Sequence, residues 1–377
     1  MISYWEKIAF TNYDLIVIGG GISGLFSALS FNIKKPNARI VILERDIFPN
    51  GASTKNAGFA CFGSISELIE DSIKMSEVSL LNLVEKRVRG LELLKKTISQ
   101  KNLDLINNGG YELFFTHNQN LERLIEKYNK LLFPIFNKNI FSLKNEKIES
   151  LGFSKKIVKQ LIFNPFEAQI NTGTTIYELQ KLANQKGIKI ITGANVENFD
   201  LNSFDHEIHV SNFNSKISFK SKYLAICSNA FTKQWFPDYD INPGRGMVLI
   251  TKPIKNLKLK GCFHYNKGYY YFRDFQNRVL FGGGRQLDLK NENTTEFGIN
   301  KIIKKSLIND LDSIILPDTN YELDMEWSGI MAFGDTKQPI IKKIHKNAVM
   351  GVRLGGMGVA LGSLVGKEVS DLLLENS

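Results

Sequence analysis

Short apolar runs and stretches of helical spacing alternate along the first half of the chain. Tyr13 to Gly19 and Arg39 to Leu43 are continuous apolar runs, typical of strands buried on both faces of a parallel sheet. Apolar residues at helical spacing predict two helices between residues 64 and 105. A further helix is predicted at 174–186, followed by a strand at 188–192. This alternation predicts an α/β domain with a parallel sheet.

The middle of the chain is less regular and then changes to β structure. A strand at 111–116, a helix at 118–132 and a buried strand at 222–230 are predicted before the change. Residues 241–290 hold β-rich segments separated by turn residues, and Gln276-Asn277 between two of them predicts a hairpin. The β-rich segments are Met247 to Thr251, Gly268 to Arg273 and Arg278 to Gly284. They predict a second sheet with antiparallel strands.

A glycine-rich turn joins the first predicted strand to the helix that follows it. Gly19, Gly21 and Gly24 form a G-x-G-x-x-G pattern, and the helix begins at Ile22 or Ser23. The first glycine permits a tight turn, the second lets a pyrophosphate approach the backbone, and the third allows close packing of helix on strand. Because the helix N-terminus then faces the phosphates, the pattern predicts a dinucleotide site.

An acidic residue follows the second apolar run. Glu44 lies 25 residues after Gly19, where a carboxylate can accept hydrogen bonds from both ribose hydroxyls of the nucleotide. A carboxylate at this position disfavours a 2′-phosphate, and therefore NADP. Strand, glycines, helix, second strand and Glu44 occur in the required order, so the pattern is more specific than its glycines alone. FAD and NAD share this arrangement, and the next segment decides between them.

Small residues dominate the segment from Gly51 to Phe59, which reads Gly-Ala-Ser-Thr-Lys-Asn-Ala-Gly-Phe. An NAD dehydrogenase would usually continue here into further βαβ units. The segment instead resembles the D-amino-acid-oxidase-like (DAO) superfamily of FAD-dependent amine and amino-acid oxidoreductases. Its glycine oxidase, sarcosine oxidase, D-amino-acid dehydrogenase and γ-glutamylputrescine oxidase branches carry a G-A-S-x-x-N-A-G type segment at this point. The resemblance implies that this loop wraps the pyrophosphate and the ribityl side of FAD.

A second glycine-dense segment runs from Met350 to Gly362. Glycine at this density, just before a helix predicted at 363–374, makes a nest of backbone N–H groups that suits an electron-rich acceptor. The segment resembles the family's G-F-S-G-H-G-V-x-L-G turn at the pyrimidine edge of the flavin, with Met357 in place of the histidine. Covalent attachment, as in monomeric sarcosine oxidase, needs a cysteine in this region. Since none is present, the resemblance implies non-covalent FAD.

The resemblance implies hydride transfer from a C–H bond beside an amine nitrogen to flavin N5, giving an imine that water hydrolyses. In a strand, Tyr269 and Tyr271 point to one face and Tyr270 to the other, and the family's substrate-facing tyrosine falls in this strand. Tyr269 or Tyr271 is therefore expected over the substrate; an aromatic core face is the alternative. Arg353 lies where glycine oxidase and its relatives place an arginine that pairs with the substrate carboxylate, and a salt-bridged structural role is its alternative. Tyr269, Tyr271 and Arg353 are the predicted catalytic residues.

A second carboxylate-binding arginine, expected from the family in the strand from Trp327 to Phe333, is missing. That strand instead resembles the family's W-x-G-x-x-x-x-x-x-D-x-x-P pattern through Trp327, Gly329, Asp335 and Pro339. The missing arginine weakens the case for a free α-amino acid and leaves amines and N-substituted amino acids open. The electron acceptor, O2 or another redox partner, is left open as well, so oxidase and dehydrogenase stand equal.

The resemblance covers nearly the whole chain. It implies an α/β (α+β) two-domain fold, with a Rossmann-like FAD-binding domain and a substrate domain built on a mixed or antiparallel β-sheet. The FAD-binding domain is expected at residues 1–85, 155–238 and 335–377, and the substrate domain at 86–154 and 239–334. The residues implied to bind FAD are Gly19, Gly21, Ile22, Ser23, Gly24, Glu44, Arg45, Ala52, Ser53, Thr54, Asn56, Ala57, Gly58, Val196, Gly329, Arg353, Gly356, Met357, Gly358, Val359 and Ala360.

Charge and the remaining reactive residues change this interpretation little. The net charge is +10, but the lysines are spread along the chain beside asparagines, so no nucleic-acid-binding stripe is indicated. Cys61, Cys227 and Cys262 are too few and too scattered for a disulfide framework or a metal site. His206 and His209 have no further ligand candidates nearby, so no metal is expected. With no cleavable signal pattern and no membrane span, we expect a cytoplasmic protein that acts on a small molecule.

Two other functions remain open at this stage. One DAO family member oxidises a modified uridine in tRNA, so a FAD-dependent tRNA-modifying oxidoreductase is the first alternative for a basic chain. A non-catalytic flavin-binding protein is the second. Anaerobic reduction of the flavin by amines would identify an amine oxidoreductase, and salt-sensitive tRNA binding would favour the first alternative. Failure of every donor to reduce the flavin would leave the second.

Overall fold

The computed structural model describes residues 2–202, 205–212 and 215–375. The helices are α1 (Tyr4–Phe10), α2 (Ile22–Lys34), α3 (Ala52–Lys55), α4 (Ile65–Lys74), α5 (Glu77–Thr97), α6 (Leu121–Phe136), α7 (Thr172–Gln185), α8 (Leu289–Glu292), α9 (Lys301–Asp310) and α10 (Gly358–Leu374). The strands are β1 (Asn12–Ile18), β2 (Ile40–Leu43), β3 (Phe59–Ala60), β4 (Gly110–Phe114), β5 (Ser142–Leu143), β6 (Gln160–Asn164), β7 (Ala168–Gln169), β8 (Lys189–Ile191), β9 (Asn195–Asp200), β10 (His206–Asn212), β11 (Ser215–Ile226), β12 (Asn242–Thr251), β13 (Cys262–Tyr265), β14 (Tyr270–Phe275), β15 (Arg278–Gly283), β16 (Leu323–Phe333), β17 (Ile340–His345) and β18 (Ala348–Val352). Within the described ranges, none of the helices has the length and apolar character needed to cross a membrane.

The first sheet is built around parallel strands in the order β18-β11-β1-β2-β8, with β17 antiparallel at one edge. The antiparallel pair β9–β10 extends from β11. β1 is buried from Leu15 to Ile18, and β2 is buried along its whole length. Burial on both faces is what continuous apolar strands require in a parallel sheet covered by helices. The predicted Rossmann-like α/β layer is therefore confirmed.

The second sheet has the order β16-β12-β15-β14-β13-β4-β6-β5. β13 pairs with β4 in parallel, and the other neighbours pair antiparallel. The predicted hairpin joins β14 to β15 through Gln276 and Asn277, whose φ values of 51° and 58° are those of a two-residue type I′ turn. One face carries Phe263, Phe272 and Phe281 and forms an apolar core with α9. The mixed sheet expected for the substrate domain is confirmed.

Glycines allow α10 to pack closely on α2 and α5. A Cβ on Gly366 would lie 2.2 Å from the Ser23 carbonyl oxygen in α2, and a Cβ on Gly90 would lie 1.9 Å from the Ala360 carbonyl oxygen in α10. The Ser363 hydroxyl donates to the Gly90 carbonyl at 2.5 Å. The N-terminal halves of α2 and α10 therefore lie side by side, although they are far apart in sequence.

At two places, a segment packs with the other half of the molecule than the predicted domain limits would give. β6 pairs with β4 in the second sheet, although residues 155–238 are predicted for the FAD-binding domain. α5 packs on α10 beside the first sheet, although residues from 86 onward are predicted for the substrate domain. Both contacts join segments that are distant in sequence, so no local pattern marks them. The outer limits of the predicted domains, residues 1 and 377, lie outside the described residues.

Several elements have other bounds than predicted, among them α10, which begins at Gly358 and not at residue 363. α6 begins at Leu121 and continues to Phe136 through Pro134, which is exposed and removes one backbone hydrogen bond near the helix end. The strand predicted at 222–230 starts earlier and ends at Ile226. A 3₁₀ turn follows it, where Asn229 has a φ of 49°. Positive φ ends the extended backbone and turns the chain toward the cavity described below.

Candidate active site

A cavity of about 760 Å³ lies where the carboxyl ends of the parallel strands meet the second sheet. At this edge the loops that follow β1, β2, β8 and β11 lie side by side, as loops of parallel strands do. The lining includes residues 19–23 from one end of the chain and residues 354–360 from the other. A cavity of this size and position is typical of a cofactor or substrate site.

The glycine turn between β1 and α2 forms the first wall of the cavity. Gly19 has a φ of 104°, and a Cβ there would lie 2.8 Å from the Cys227 carbonyl oxygen, so only glycine fits. A Cβ on Gly24 would lie 1.9 Å from the Gly19 carbonyl oxygen. Gly24 therefore serves the packing of helix on strand and does not line the cavity. Gly21 and Ile22 do line it, which places the N-terminus of α2 at the cavity.

Glu44 lies beside the glycine turn, in the loop after β2. Its carboxylate accepts hydrogen bonds from the backbone N–H groups of Gly20 (2.8 Å) and Asp46 (3.3 Å). Burial raises the pKa of Glu44 above its ordinary value, and these two hydrogen bonds act in the opposite direction. The side chain lines the cavity, where it can accept hydrogen bonds from the ribose of a nucleotide.

Beyond Glu44 the cavity continues as a slot with aromatic and apolar sides. The guanidinium of Arg45 lies 4.1 Å from the centre of the Phe231 ring. Val196 and Trp235 line the same end of the cavity. Aromatic and apolar side chains here could contact the adenine ring of a dinucleotide, the contact that the family resemblance implies for Val196.

Side chains tie the loop after β2 to the glycine turn. The Ser53 hydroxyl accepts the backbone N–H of Ile22 at 3.0 Å and so caps α2 from a neighbouring segment. The Asn56 side chain accepts the backbone N–H of Gly58 at 2.8 Å, which holds the loop in a turn. The Thr54 hydroxyl instead donates to carbonyls of its own loop, and Thr54 does not line the cavity.

The C-terminal glycines form the nest that the sequence predicts. Gly355 and Gly356 have positive φ values of 57° and 79°, and α10 begins at Gly358 immediately afterwards. Residues 354–360 line the cavity, Met357 among them. The first backbone N–H groups of a helix lack partners within it, so the start of α10 presents donors and a positive dipole end to this part of the cavity.

Arg353 stands just before the nest, and it is not among the residues that line the cavity. Its Nη1 donates to the Asp240 carboxylate at 2.6 Å, and its Nε and Nη2 donate to the Gln338 carbonyl at 3.1 and 2.9 Å. Its backbone has a φ of 64° and donates to Asn229 Oδ1 at 3.0 Å. These contacts match the salt-bridged structural alternative and leave its guanidinium engaged within the protein.

The second sheet supplies the opposite wall through a row of paired residues. Glu112, His264 and Tyr271 lie directly opposite one another on β4, β13 and β14, and Gly282 on β15 continues the row. His264 and Tyr271 line the cavity. The registers of β4 with β13 and of β13 with β14 therefore align an acid, an imidazole and a phenol across neighbouring strands.

Tyr269, immediately before β14, and Tyr270 and Tyr271, the first two residues of β14, alternate between the two faces of the sheet as predicted. Tyr269 and Tyr271 both line the cavity. Tyr270 points to the other face, where its ring stacks on Tyr265 with the centres 4.6 Å apart. Burial raises the pKa of Tyr271 to about 12, so its phenol stays protonated.

Glycines on the cavity face of the second sheet leave room for neighbouring side chains. A Cβ on Gly282 would lie 2.7 Å from the Tyr271 ring. A Cβ on Gly244 would lie 2.5 Å from the Phe333 ring and 2.9 Å from Arg285 Nε. These glycines therefore let Tyr271, Phe333 and Arg285 lie flat against the sheet.

Arg285 follows β15 and lines the cavity, a position that no sequence motif indicated. Its guanidinium stacks on the Phe333 ring at 4.3 Å. Its Nε is buried without a hydrogen-bond partner among the described residues. Glu292, an acid in its vicinity, is already paired with Arg245 at 2.8 Å. A partly buried guanidinium in this state can bind a carboxylate of a ligand through two parallel hydrogen bonds.

His264 is a second residue without a predicted role. Its Nε2 lies 2.8 Å from the Glu167 carboxylate, and both side chains are almost fully buried. Burial acts against a charged imidazole, but the adjacent Glu167 outweighs it and raises the pKa of His264 to about 9. His264 is therefore a cation at neutral pH. In the same row, burial raises the pKa of Glu112 to about 7 against the hydrogen bonds from Ser66.

Helix α4 covers the cavity from a third side with an acidic face. Glu67, Glu70 and Asp71 line the cavity. Lys267, from the turn between β13 and β14, lies 3.0 Å from Glu70, and Lys337 lies 2.7 Å from Asp71. These ion pairs join α4 to both halves of the molecule.

Apart from Gly24, Thr54 and Arg353, every residue predicted to bind FAD or substrate lines this one cavity. Cys61 and Cys227 also line it, and both are free and buried. Across the ranges that the structure describes, no group of three or more His, Cys, Asp or Glu residues is placed to hold a metal ion. The glycine turn, Glu44, the side chains around Val196 and the nest before α10 all line this cavity, so the residues present fit an FAD molecule.

Comparison with known proteins identifies the family. The family model described as "DAO: FAD dependent oxidoreductase" matches residues 14–372. Among curated proteins, the mitochondrial L-2-hydroxyglutarate dehydrogenase of Caenorhabditis briggsae is 24% identical over 267 residues, which cover 68% of this chain and 58% of that protein. The match thus spans less than two thirds of the length of that relative.

Solved structures share the fold at low sequence identity. Glycine oxidase from Geobacillus kaustophilus has a TM-score of 0.77 at 17% identity, with 97% of this chain and 96% of that chain covered. Dithionite-reduced L-α-glycerophosphate oxidase from Mycoplasma pneumoniae, with FAD bound, has a TM-score of 0.74 at 14% identity, with 96% and 94% covered. The chain belongs to the DAO family of FAD-dependent oxidoreductases, and FAD is its cofactor.

Proposed function

We propose that this protein oxidises the C–N bond of an amino acid or another carboxylate-bearing amine, with non-covalently bound FAD as the acceptor of hydride. The observation that carries the proposal is the Arg285 guanidinium, which lines the FAD cavity with Tyr269 and keeps a buried Nε without a partner among the described residues. A carboxylate is the ligand that matches a guanidinium best in geometry and charge.

The reaction removes two electrons and one proton from the substrate carbon. When bound, FAD accepts them as a hydride equivalent, and the resulting C=N bond is hydrolysed by water to a carbonyl compound and a free amine. The protein binds and orients the reacting C–H bond and excludes water from it. Arg285 and Tyr269 would hold the carboxylate, while the Tyr271 ring, flat against Gly282, would shape the wall beside the reacting carbon.

His264 and Glu167 form an ion pair without net charge, so the pair exerts little net repulsion on a substrate amine. A neutral amine nitrogen keeps the lone pair that assists removal of hydride from the adjacent carbon. The proposed reaction therefore needs the amine to be neutral when the hydride leaves.

Oxidation of a 2-hydroxy acid is the second candidate. It is favoured by the match to L-2-hydroxyglutarate dehydrogenase and by the His264–Glu167 pair, since removal of a hydroxyl proton needs a base. However, a pKa of about 9 leaves His264 protonated at neutral pH, where it cannot accept that proton. Amine oxidation is therefore the first candidate.

Anaerobic titration of the FAD-loaded protein tests the proposal. α-Amino acids, N-methyl amino acids, their decarboxylated amines and 2-hydroxy acids would be added separately while the visible absorbance of the flavin is followed. We expect carboxylated amines to bleach the flavin and decarboxylated amines to be about 100-fold less effective, because loss of a charge-assisted pair costs about 3 kcal/mol. Bleaching by 2-hydroxy acids alone would support the second candidate, and no bleaching by any donor would reject both.

Substitution of Arg285 tests its part in recognition. In Arg285→Met we expect the Kd of a carboxylate inhibitor such as benzoate, measured by its shift of the flavin absorbance, to rise about 100-fold with unchanged FAD content. Arg278→Met is the matched control, because Arg278 begins β15, pairs with Asp324 and does not line the cavity. Equal effects of the two substitutions, or no effect of either, would overturn the role of Arg285.

The attachment of FAD and the electron acceptor can be tested on the same preparation. Acid precipitation should leave the flavin in the supernatant, and flavin in the pellet would contradict non-covalent binding. After anaerobic reduction, rapid reoxidation on admission of air would identify an oxidase, and slow reoxidation a dehydrogenase with another acceptor. We also propose a cytoplasmic location, because the free, buried cysteines suit a reducing compartment.

A further inference from the structure

Helix α1 gains almost no burial from the rest of the chain. None of its residues is buried, and the exposed fractions are 70% for Tyr4, 74% for Trp5 and 45% for Ile8. Its start is nevertheless fixed by a capping box, in which Ser3 and Glu6 exchange side-chain to backbone hydrogen bonds. A helix of seven residues is marginal on its own backbone hydrogen bonds. Among the residues that the structure describes, no apolar core covers Tyr4, Trp5 and Ile8, although such packing normally stabilises so short a helix.

Tyr4, Trp5 and Ile8 share one side of α1, whereas the exposed Phe10 lies on another side of the helix, beside Lys189. Tyr4 and Ile8 are one turn apart, and the Trp5 ring lies against that of Tyr4 with the centres 5.9 Å apart. Tryptophan and tyrosine combine an apolar body with a polar tip. They are therefore enriched at boundaries between water and an apolar phase.

Exposed cations surround this side of the molecule. β1, β2, β8 and β11 run parallel, so their N-terminal ends share the edge at which α1 lies. Arg39, just before β2, donates to the Ala9 carbonyl in α1 at 2.8 Å. Lys189, at the start of β8, lies 4.1 Å from the centre of the Phe10 ring. The cations of the sheet edge are thus in direct contact with the helix.

Further lysines extend this positive surface. Lys220 lies opposite Asn12 in the register of β11 with β1 and opposite Glu207 in the register with β10, and the exposed Lys222 follows it. Lys7 is exposed within α1 itself. Asp14, the acid at the start of β1, accepts a backbone N–H from the residue before β2 at 2.7 Å. We call α1 together with Arg39, Lys189, Lys220 and Lys222 the basic edge.

We propose that the basic edge binds the anionic surface of a lipid bilayer, with Tyr4, Trp5 and Ile8 among the lipid headgroups. An apolar helix side flanked by cations is the combination by which interfacial helices bind acidic membranes. The net charge of +10 adds long-range attraction to such a surface. Nucleic acid would satisfy the cations but would leave Ile8 without an apolar environment. A lipid surface satisfies both parts of the edge.

The basic edge lies opposite the FAD cavity. The cavity is formed by the loops after β1, β2, β8 and β11, at the carboxyl ends of these strands, whereas α1 lies at their N-terminal ends. A protein bound to a membrane through this edge would keep its cavity open to solution. Substitutions in the edge are therefore expected to leave flavin content and flavin reduction unchanged.

Cosedimentation of the FAD-loaded protein with vesicles tests the proposal. We expect binding to vesicles of phosphatidylcholine mixed with phosphatidylglycerol, little binding to phosphatidylcholine alone, and weakening by salt. The double variant Tyr4→Ser/Trp5→Ser should lower the partition coefficient about tenfold or more, because two aromatic side chains no longer enter the interface. Its rate of anaerobic flavin reduction should equal that of the wild type.

Matched variants distinguish vesicle binding through the basic edge from binding that depends only on net charge or on exposed apolar side chains. Lys189→Glu/Lys220→Glu should abolish vesicle binding, whereas Lys255→Glu/Lys258→Glu changes the net charge equally at exposed lysines outside the edge and should retain most of it. Phe48→Ser is the control for the aromatic residues, because Phe48 is 78% exposed and follows β2 on the side of the cavity.

Several results would overturn the proposal. It fails if the wild type does not bind acidic vesicles, or if the edge variants bind as well as their controls. It also fails if light scattering shows a dimer that Trp5→Ser dissociates, since a second copy would then cover α1. Salt-sensitive tRNA binding that the edge variants lose, without vesicle binding, would assign the edge to nucleic acid instead.

Discussion

The guanidinium of Arg353 joins segments of the chain that are far apart in sequence. It pairs with Asp240 and donates to the carbonyl of Gln338, while its backbone donates to Asn229. The glycine nest follows directly, so these contacts fix the position at which the nest begins. We infer that Arg353 is a positioning residue for FAD, and that Arg285 takes the ligand-binding part expected of an arginine in this family.

Substitution of Arg353 distinguishes a role in positioning FAD from a role in binding the substrate carboxylate. Arg353→Met should lower the free energy of unfolding by about 1–3 kcal/mol, because the carboxylate and carbonyl acceptors lose their donor. It should also weaken FAD binding, whereas the Kd of a carboxylate inhibitor for the flavin-loaded fraction should stay unchanged. Thermal unfolding, FAD titration and inhibitor titration measure the three quantities. An intact fold with a large rise in inhibitor Kd would instead assign Arg353 to the substrate.

Between elements, Glu112 links the second sheet to helix α4. Its carboxylate accepts hydrogen bonds from the backbone N–H and the hydroxyl of Ser66, and burial raises its pKa from 4.5 to about 7. The folded chain therefore keeps a proton on Glu112 between pH 4.5 and 7 that the unfolded chain loses, so stability falls as the pH rises through this window. The carboxylate of Glu167 raises the pKa of His264 from 6.5 to about 9. Stability therefore falls further as the pH rises between these two values.

Glu112→Gln should remove the loss of stability that Glu112 causes between pH 4.5 and 7. Glutamine resembles the protonated acid, so the variant and the wild type should be similarly stable at pH 5, where Glu112 is protonated in the folded state. Above pH 7 the variant should be more stable by about 3 kcal/mol, since each pKa unit corresponds to about 1.4 kcal/mol. Thermal unfolding at several pH values measures the difference, with Glu126→Gln on the exposed side of α6 as the control. Parallel pH profiles of Glu112→Gln and wild type would refute this account.

The contact between α5 and α10 leaves no space for a side chain at Gly90. In Gly90→Ala the new Cβ would meet the Ala360 carbonyl oxygen at 1.9 Å, so the helices must separate, at a cost of about 1–3 kcal/mol. FAD affinity should fall as well, because Ala360 lines the cavity. Gly173→Ala is the matched control in α7, where a Cβ would meet only the Asn171 side chain at 3.5 Å. That control should be neutral or slightly stabilising, and equal melting temperatures of the two variants would contradict the packing argument.

The nucleotide half of the site could be predicted from sequence because its signals are local. Gly19 and Glu44 lie within one βαβ unit, whose backbone geometry fixes their spacing. Arg285 and His264 had no such signal, since Phe333 and Glu167, which complete them, come from distant segments that only the sheet register brings together. The pairing of β6 with β4 escaped prediction for the same reason. In the sequence, Arg285 is marked only by the three glycines before it, and His264 only by its place in the hairpin of β13 with β14.

On the scale of the whole molecule, the cavity is complete only when α10 lies against α2 and α5. A chain ending at Leu354 keeps the glycine turn and Glu44 but lacks the nest and the packing of Gly366 on Ser23. We expect it not to retain FAD and to unfold at a lower temperature. A chain without residues 2–10 should retain FAD normally, because α1 buries no residue. Flavin fluorescence and calorimetry compare the two, and FAD retention by the shorter C-terminal chain would show that α10 is not required.

The place of α10 in the chain sets the time at which the cofactor can be acquired. During synthesis the glycine turn after β1 emerges early, yet the donors of the nest emerge after every other segment that lines the cavity. Until α10 has been synthesised and has packed on α2, the cavity lacks the nest. We therefore expect flavin capture only after α10 has folded into place. An interrupted translation product consequently remains without a redox centre and cannot pass electrons to any acceptor.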